Sequence, residues 1–217
     1  DSRLKQMAEA LRQVSQLPDP LNSESSEKVL KNGLKLKKVR SPLGIIFMIF
    51  ESRPNVAIEA FSMGFKSGNS MILRGGSETK HTTKILYSLV ESALEKNRLS
   101  KHCFWGISDP DRRIVKNLLL EKEFIDVVVP RGGESLINFV VNNSIIPIIK
   151  NDRGLCHTYI HKNADLNMAC EILLNAKTQR PGVCNSTETV LVDEEIAAEI
   201  IPQLYNRLSQ FDVAWFV

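Results

Sequence analysis

Gly44-Ile45-Ile46-Phe47-Met48-Ile49-Phe50 is an unbroken apolar run, and the strongly polar stretch Glu51-Ser52-Arg53-Pro54-Asn55 follows it directly. The run has the length of a strand and is rich in β-branched and aromatic side chains. It therefore reads as a strand buried on both faces of a parallel sheet. Working outward, the sequence alternates in type: a helical pattern over residues 56–66 closed by Gly68, a strand over 70–74, and a helix over 78–96. The order repeats with a strand over 103–107, a helix over 109–120, a strand over 125–130, a helix over 134–142 and a short strand over 145–149. Strands separated by helices of this length imply right-handed crossovers. The expected fold is thus α/β, an open, mostly parallel sheet with helices on both faces.

Upstream of this core, the first part of the chain reads as a helix, a loop around Pro18 and Pro20, and a second helical stretch ending near the turn pair Asn32-Gly33. Residues 34–39 alternate apolar and basic side chains, as in a half-exposed strand whose lysines form the solvated face. Downstream, the loop Asn151-Asp152-Arg153-Gly154 opens a further set: strand 155–161, helix 166–177, a loop, strand 189–192 and helix 194–209. A domain boundary is expected near residue 151, dividing the chain into 1–150 and 151–217.

Composition narrows the function classes. With 43% hydrophobic and 24% charged residues, the chain can bury a substantial core and does not belong with disordered proteins. Lys and Arg exceed Asp and Glu by 28 to 25, an evenly distributed excess too small to mark a nucleic-acid or membrane-surface binder. The longest apolar run is less than half the roughly 18 residues of a membrane-spanning helix. The opening residues lack the apolar core of a signal peptide, and the closing Val213-Ala214-Trp215-Phe216-Val217 reads as cut, so a fragment is expected. Cys103, Cys156, Cys170 and Cys184 are widely spaced, which points to reduced thiols and a cytoplasmic location.

The common dinucleotide and P-loop glycine fingerprints are absent. In their place, Arg74-Gly75-Gly76-Ser77-Glu78 and Arg131-Gly132-Gly133-Glu134-Ser135 repeat one device: a strand ending in Arg, two glycines, and a helix start. Glycines admit a ligand close to backbone amides, and a helix N-terminus offers unpaired N–H groups, so each site suits a phosphate or ribose at the sheet's carboxyl edge. One instance alone would read as a tight turn; two with matching Arg favour a ligand. The loop Gln179-Arg180-Pro181-Gly182-Val183-Cys184-Asn185-Ser186, with Lys177 just before it, is a setting in which a thiolate is stabilised and reachable. Cys184 is either a nucleophile or a small buried apolar residue at a strand entrance. Cys103 and Cys170 read as core. Cys156 points away from His157 and His161 on a strand, so no metal site is expected. Asn55 is by default an N-cap and alternatively an oxyanion donor.

Taken together, residues 50–56 (Phe-Glu-Ser-Arg-Pro-Asn-Val), 72–79 (Ile-Leu-Arg-Gly-Gly-Ser-Glu-Thr), 130–133 (Pro-Arg-Gly-Gly) and 175–185 (Asn-Ala-Lys-Thr-Gln-Arg-Pro-Gly-Val-Cys-Asn) strongly resemble the γ-glutamyl phosphate reductase, or glutamate-5-semialdehyde dehydrogenase, family. That family is a branch of the aldehyde dehydrogenase superfamily. The resemblance implies a Rossmann-like NADP-binding domain within 1–150, the start of a second α/β catalytic domain carrying the cysteine in 151–217, and an oligomerisation flap. It further implies NADPH-dependent reduction of γ-glutamyl phosphate to glutamate 5-semialdehyde, with phosphate release, in proline biosynthesis.

Residue by residue, the resemblance makes Cys184 the nucleophile that forms a thioester, and Asn55 its partner in the oxyanion hole. It puts Arg74, with Gly75, Ser77 and Glu78, at the adenosine ribose and the 2′-phosphate, and Arg131, Gly132 and Gly133 at the pyrophosphate. Arg53 or Arg180 is a candidate for the substrate's α-carboxylate on charge alone. Where aldehyde-oxidising members carry a Glu-Leu-Gly-Gly general base, this chain has Asn151-Asp152-Arg153-Gly154, in keeping with an acyl-phosphate reductase that needs no activated water. The implied partners are the small-molecule substrate, further copies of the chain and a glutamate 5-kinase, with neither nucleic acid nor membrane. Two other readings compete: an aldehyde dehydrogenase for another substrate, and a truncated nucleotide-binding or assembly module.

Overall fold

The computed structural model describes residues 2–22, 26–151 and 154–216. They form two compact units, Asp1–Lys150 and Asn151–Val217. The first opens with helix α1 (Ser2–Gln16) and the short strands β1 (Glu27–Val29) and β2 (Lys35–Lys37). Then follow β3 (Ile45–Phe50), α2 (Asn55–Lys66), β4 (Ser70–Gly75), α3 (Lys80–Lys96), β5 (Phe104–Ile107), α4 (Arg112–Leu118), β6 (Val127–Arg131) and α5 (Glu134–Asn143).

The apolar run is the centre of the sheet. β3 pairs in parallel with β4 on one side and β6 on the other, and the strand order is β5-β4-β3-β6. Its side chains alternate between two cores. Ile46 and Phe50 pack with Val56, Ala57 and Ala60 of α2 and with Leu86, Val90 and Leu94 of α3. Phe47 and Ile49 pack with Val115 of α4, Leu119 and Val140 of α5. The open parallel sheet with helices on both faces is the architecture that the strand–helix alternation implies. Burying each such side chain is worth about 1.5–3 kcal/mol, so this strand holds both layers together.

The strand's entrance is held by side chains that arrive from far along the sequence. Gly44 has φ +117°, and a Cβ there would collide with the Asp126 carboxylate. That carboxylate instead accepts a hydrogen bond from the Ile45 amide at 2.7 Å. The buried Asn69 accepts from the amides of Leu43 (2.6 Å) and Gly44 (3.0 Å), while its own amide donates to Ser67 Oγ at 2.8 Å. Helix α2 reaches β4 closely at Gly64, where a Cβ would run into Met71.

Three expectations need correction. The second helical stretch is instead strand β1, which pairs antiparallel with β2 (Glu27↔Lys37, Val29↔Lys35). Asn32-Gly33 turns the hairpin: Asn32 Oδ1 accepts from the Leu34 amide at 3.1 Å and Gly33 takes φ +83°. A turn pair of this kind decides between helix and hairpin in favour of the latter. The strand expected over 145–149 shrinks to one parallel bridge, Val128↔Ile148. Pro147 has no amide hydrogen to extend a ladder, although its carbonyl accepts from Val128 at 2.9 Å. Finally, the helix expected from 109 starts at Arg112, because Asp111 caps it by accepting from the Arg113 amide at 2.8 Å.

The second unit contains β7 (Cys156–Ile160), α6 (Leu166–Thr178), β8 (Thr187–Val192) and α7 (Glu194–Leu208). β7 and β8 are parallel, with a register shift between Cys156 and His157. Ile160 packs with Cys170 and Leu173 of α6 and with Ile200 and Leu204 of α7. Asp165 and Asp193 cap the two helices. Among the described residues no helix is long and apolar enough to cross a membrane.

Asn69→Ala should lower the unfolding free energy of the chain by about 2 kcal/mol, since two strand-entrance amides lose a buried acceptor. Urea unfolding monitored by circular dichroism measures this. A loss below about 0.5 kcal/mol would show that the entrance does not depend on Asn69.

Candidate functional site

Chain order runs from β3 outward through β4 to β5 and then returns to β6 on the other side of β3. In open α/β sheets a crevice forms at such a switch, outside the carboxyl ends of the strands. Here it is a cleft of about 560 Å³. Glu51 and Ser52 reach it from the end of β3, Arg74, Gly76, Ser77 and Glu78 from β4, Pro110 and Arg112 from β5, and Ser135 from α5. Ile49, Val115, Leu136 and Phe139 give it an apolar wall. Polar groups converging on an apolar wall in a cavity of this size are what a small-molecule or cofactor site presents.

Each polar group has a definite setting. Arg74 is half-buried; its Nη2 donates to the Pro110 carbonyl at 2.9 Å, whereas its Nε is buried without a partner. Burial, and next the neighbouring Arg112, hold its pKa below the ordinary guanidinium value. Glu78 accepts from the Ser52 amide at 2.7 Å, and Ser52 adopts a left-handed φ of +54°. Hydrogen bonds from its own backbone amide and from that of Ser52 keep the Glu78 carboxyl below the usual carboxylate range. Tyr87, buried in the core, has its phenol pushed up to about 12 by desolvation.

The two Arg-Gly-Gly devices differ in their glycines as well as in their arginines. A Cβ at Gly76 would collide with the Glu78 carboxylate, and one at Gly132 with the Glu51 carboxylate. Gly133 is the N-cap of α5, and its amide donates to Glu51 Oε2 at 2.9 Å. The amide expected to face a pyrophosphate therefore already carries an anion of the chain itself. Arg74, Ser77 and Glu78 line the cleft; Gly75 lies at the end of β4, in register with Phe50. Arg131 is exposed at the end of β6 and, like Gly132 and Gly133, is not among the residues lining the cleft.

Asn55 is the first residue of α2, and the N-cap is Pro54. The capping role expected of Asn55 is thus incorrect: its side-chain amide donates to Glu59 Oε1 at 2.9 Å, one turn along the helix. In the second unit, Cys184 is exposed in the loop between α6 and β8. The reading of a buried apolar cysteine is overturned at this position. The loop is tied by Val183 N–H to the Arg180 carbonyl (3.3 Å), Ser186 N–H to the Val183 carbonyl (3.1 Å), and the buried Ser186 hydroxyl to the Ala176 carbonyl (3.2 Å). Cys156 Sγ donates to the Cys184 carbonyl at 3.2 Å. Cys170 is buried as expected, and Cys103 is half-buried with its thiol on the Ser100 carbonyl. Asp152 and Arg153 lie outside the described residues.

Sequence reasoning gave no role to Arg112, Pro110 or Ser135, and quoted Glu51 without one. A signal for Arg112 was present in Asp109-Pro110-Asp111-Arg112-Arg113, another strand-to-helix turn, but it lacks the glycines that drew attention elsewhere.

The sequence profile of the aldehyde dehydrogenase family matches residues 1–214. γ-Glutamyl phosphate reductase of Citrifermentans bemidjiense is 46% identical over 213 residues, which cover 98% of this chain and 51% of that protein. The crystal structure of γ-glutamyl phosphate reductase from Thermotoga maritima is similar with a TM-score of 0.90 at 38% identity, covering 98% of this chain and 51% of that one. That of glyceraldehyde-3-phosphate dehydrogenase from Methanocaldococcus jannaschii, complexed with NADP, is similar with a TM-score of 0.69 over 96% of this chain and 46% of that one. At 18% identity this last likeness is one of fold. The chain spans about half the length of the curated relatives it matches. On the family profile alone, with nearly every residue matched, the chain belongs to the aldehyde dehydrogenase family.

Proposed function

We propose that this chain is part of a cytoplasmic NADPH-dependent γ-glutamyl phosphate reductase, which forms glutamate 5-semialdehyde and releases phosphate in proline biosynthesis. The observation that carries the reading is the exposed thiol of Cys184 on the loop 179–185. The identity with the reductase of Citrifermentans bemidjiense supports the choice of substrate. In this reading a glutamate 5-kinase supplies the labile acyl phosphate, and the whole enzyme assembles as a homo-oligomer.

In its thiolate form, Cys184 attacks the γ-carbonyl carbon of the substrate; the tetrahedral adduct collapses, the C–O bond to phosphate breaks, and a thioester remains. NADPH, when bound, would supply the hydride that converts this thioester to the aldehyde and releases the Cys184 thiolate. The oxyanion of each tetrahedral adduct takes a hydrogen bond from the Cys184 backbone N–H, and the role of second donor comes to Asn55 from the family resemblance of residues 50–56. A side-chain amide carries two donor hydrogens, so Asn55 can keep Glu59 as a partner and still serve the oxyanion.

The first unit's cleft fits the cofactor. Its apolar wall suits an adenine, and Ser77 and Glu78 stand at the rim for the ribose. The orphaned buried Nε of Arg74 is a donor awaiting an acceptor, as a 2′-phosphate would supply. Gly75 shapes the turn between Arg74 and Ser77. A pyrophosphate at Gly132 and Gly133 would take the place of the Glu51 carboxylate on the Gly133 amide. Arg131, on the exposed end of β6, is given no role.

In the full-length enzyme, Cys184→Ser should reduce substrate-dependent NADPH oxidation by roughly a thousandfold or more while leaving the NADPH dissociation constant within about twofold. Unchanged turnover would remove Cys184 as the nucleophile. Iodoacetamide labelling followed by peptide mass spectrometry should find Cys184 the fastest of the four cysteines and the buried Cys170 the slowest; the reverse order would contradict the exposed loop. Arg74→Ala should weaken NADPH by about tenfold or more and NADH far less. Equal weakening would take the 2′-phosphate away from Arg74.

A further inference from the structure

Arg74 and Arg112 bring two guanidiniums to one cleft. Arginines are ordinarily matched by nearby carboxylates, and four carboxylates do stand around this edge of the sheet. Each accepts a hydrogen bond from another group. Glu78 accepts from the Ser52 amide at 2.7 Å, Glu51 from the Gly133 amide at 2.9 Å, and Asp109 from the Asp111 amide at 2.9 Å. Asp111 holds Arg113 through Nε at 2.8 Å and Nη2 at 2.7 Å. Of the adjacent pair Arg112-Arg113, the second is therefore satisfied on the outside of α4, whereas the first is presented to the cleft.

Among the described residues, neither Arg74 nor Arg112 forms an ion pair. Arg74 gives one hydrogen bond, to the neutral Pro110 carbonyl, and its buried Nε gives none. The two guanidiniums sense one another: Arg112 acts against the charge of Arg74, while Glu78 and Asp109 act in its favour without pairing with it. Like charges facing a common space in a partly desolvated setting are unfavourable unless an anion comes between them. The anion that best answers two planar, forked donors is a phosphate monoester: it carries nearly two charges and three terminal oxygens, whereas each phosphate of a diester bridge carries one charge. Ser77 adds a hydroxyl at the same rim.

We propose that Arg112 is the second arm of a two-guanidinium clamp with Arg74, that its ligand is the 2′-phosphate of the dinucleotide, and that it sets the preference for NADPH over NADH. This rests on the reading of the cleft as a dinucleotide site. Arg112 binds; it takes no part in the chemical step. Because it is exposed on the first turn of α4 and contributes to neither core, its replacement leaves the fold intact.

The test is calorimetric titration of the 217-residue chain with NADPH, NADH, 2′,5′-ADP and 5′-AMP, for the parent, Arg112→Ala, Arg112→Lys, Arg113→Ala and Arg74→Ala. Arg112→Ala should weaken NADPH and 2′,5′-ADP by about tenfold or more and leave NADH and 5′-AMP within about twofold. Arg112→Lys should recover part of the loss, and Arg113→Ala should change nothing. Equal losses for the phosphorylated and unphosphorylated ligands would overturn the proposal, because Arg112 would then be stacking on the base or shaping the loop. Arg112→Ala keeping the parent's preference while Arg74→Ala loses it would overturn the role of Arg112 and leave the cleft reading standing. A parent that does not distinguish 2′,5′-ADP from 5′-AMP would overturn both.

Discussion

Burial of β3 on both of its faces is the constraint from which the rest of the first unit follows. A strand with Phe47 and Ile49 on one side and Ile46 and Phe50 on the other must be covered by helices above and below, and must have hydrogen-bonded neighbours at both edges. Parallel neighbours require crossovers, so α2, α3, α4 and α5 are placed on the two faces by the same requirement. All four strands then end at one edge, and the turns after them gather side chains that are far apart in sequence. The cleft is a consequence of this topology.

The electrostatic character of that cleft is set by where its carboxylates are spent. Glu51 and Glu78 each accept from a backbone amide on a different strand-end loop, Gly133 and Ser52 respectively. These bonds cross-link the loops after β3, β4 and β6, and hold three otherwise independent turns in fixed relation. Accepting such a bond leaves each carboxylate its charge, and Glu78 and Arg74 each favour the other's charged form. Asp111 holds Arg113 at the start of α4. The cleft thus brings two guanidiniums and two amide-bound carboxylates together, and among the described residues no ion pair joins them.

The strands and helices were legible in the sequence wherever burial was complete, as in residues 44–50, because such runs have a single stable reading. Legibility failed where a local device outweighed periodicity. Asn32-Gly33 converted a helical pattern into a hairpin, and Pro147 removed the amide that a strand over 145–149 required. The place of Arg74 in the cleft of the first unit and the exposure of Cys184 in the second were readable because glycine or proline marks their loops. Arg112 was not, since its placement depends on β5 lying beside β4 and on Asp111 capturing its neighbour, neither of which a one-dimensional pattern contains.

The two Arg-Gly-Gly turns show why a repeated motif need not mean a repeated role. In each, one glycine leaves room for a carboxylate, the second of the pair at β4 (Gly76) and the first at β6 (Gly132), which suggests a related use. Yet β4 has neighbours on each side and β6 lies at the edge of the four-stranded sheet. Arg74 is consequently walled in by the loop after β5 and partly desolvated, while Arg131 faces solvent. A lone guanidinium in water binds phosphate weakly, because the exchange with water returns most of the attraction; one held in a half-buried wall with an unspent donor, and with a second guanidinium beside it, loses less to that exchange. The setting of the motif therefore comes from the strand beside it, and the shared Arg-Gly-Gly lines a cleft at β4 and starts a helix at β6.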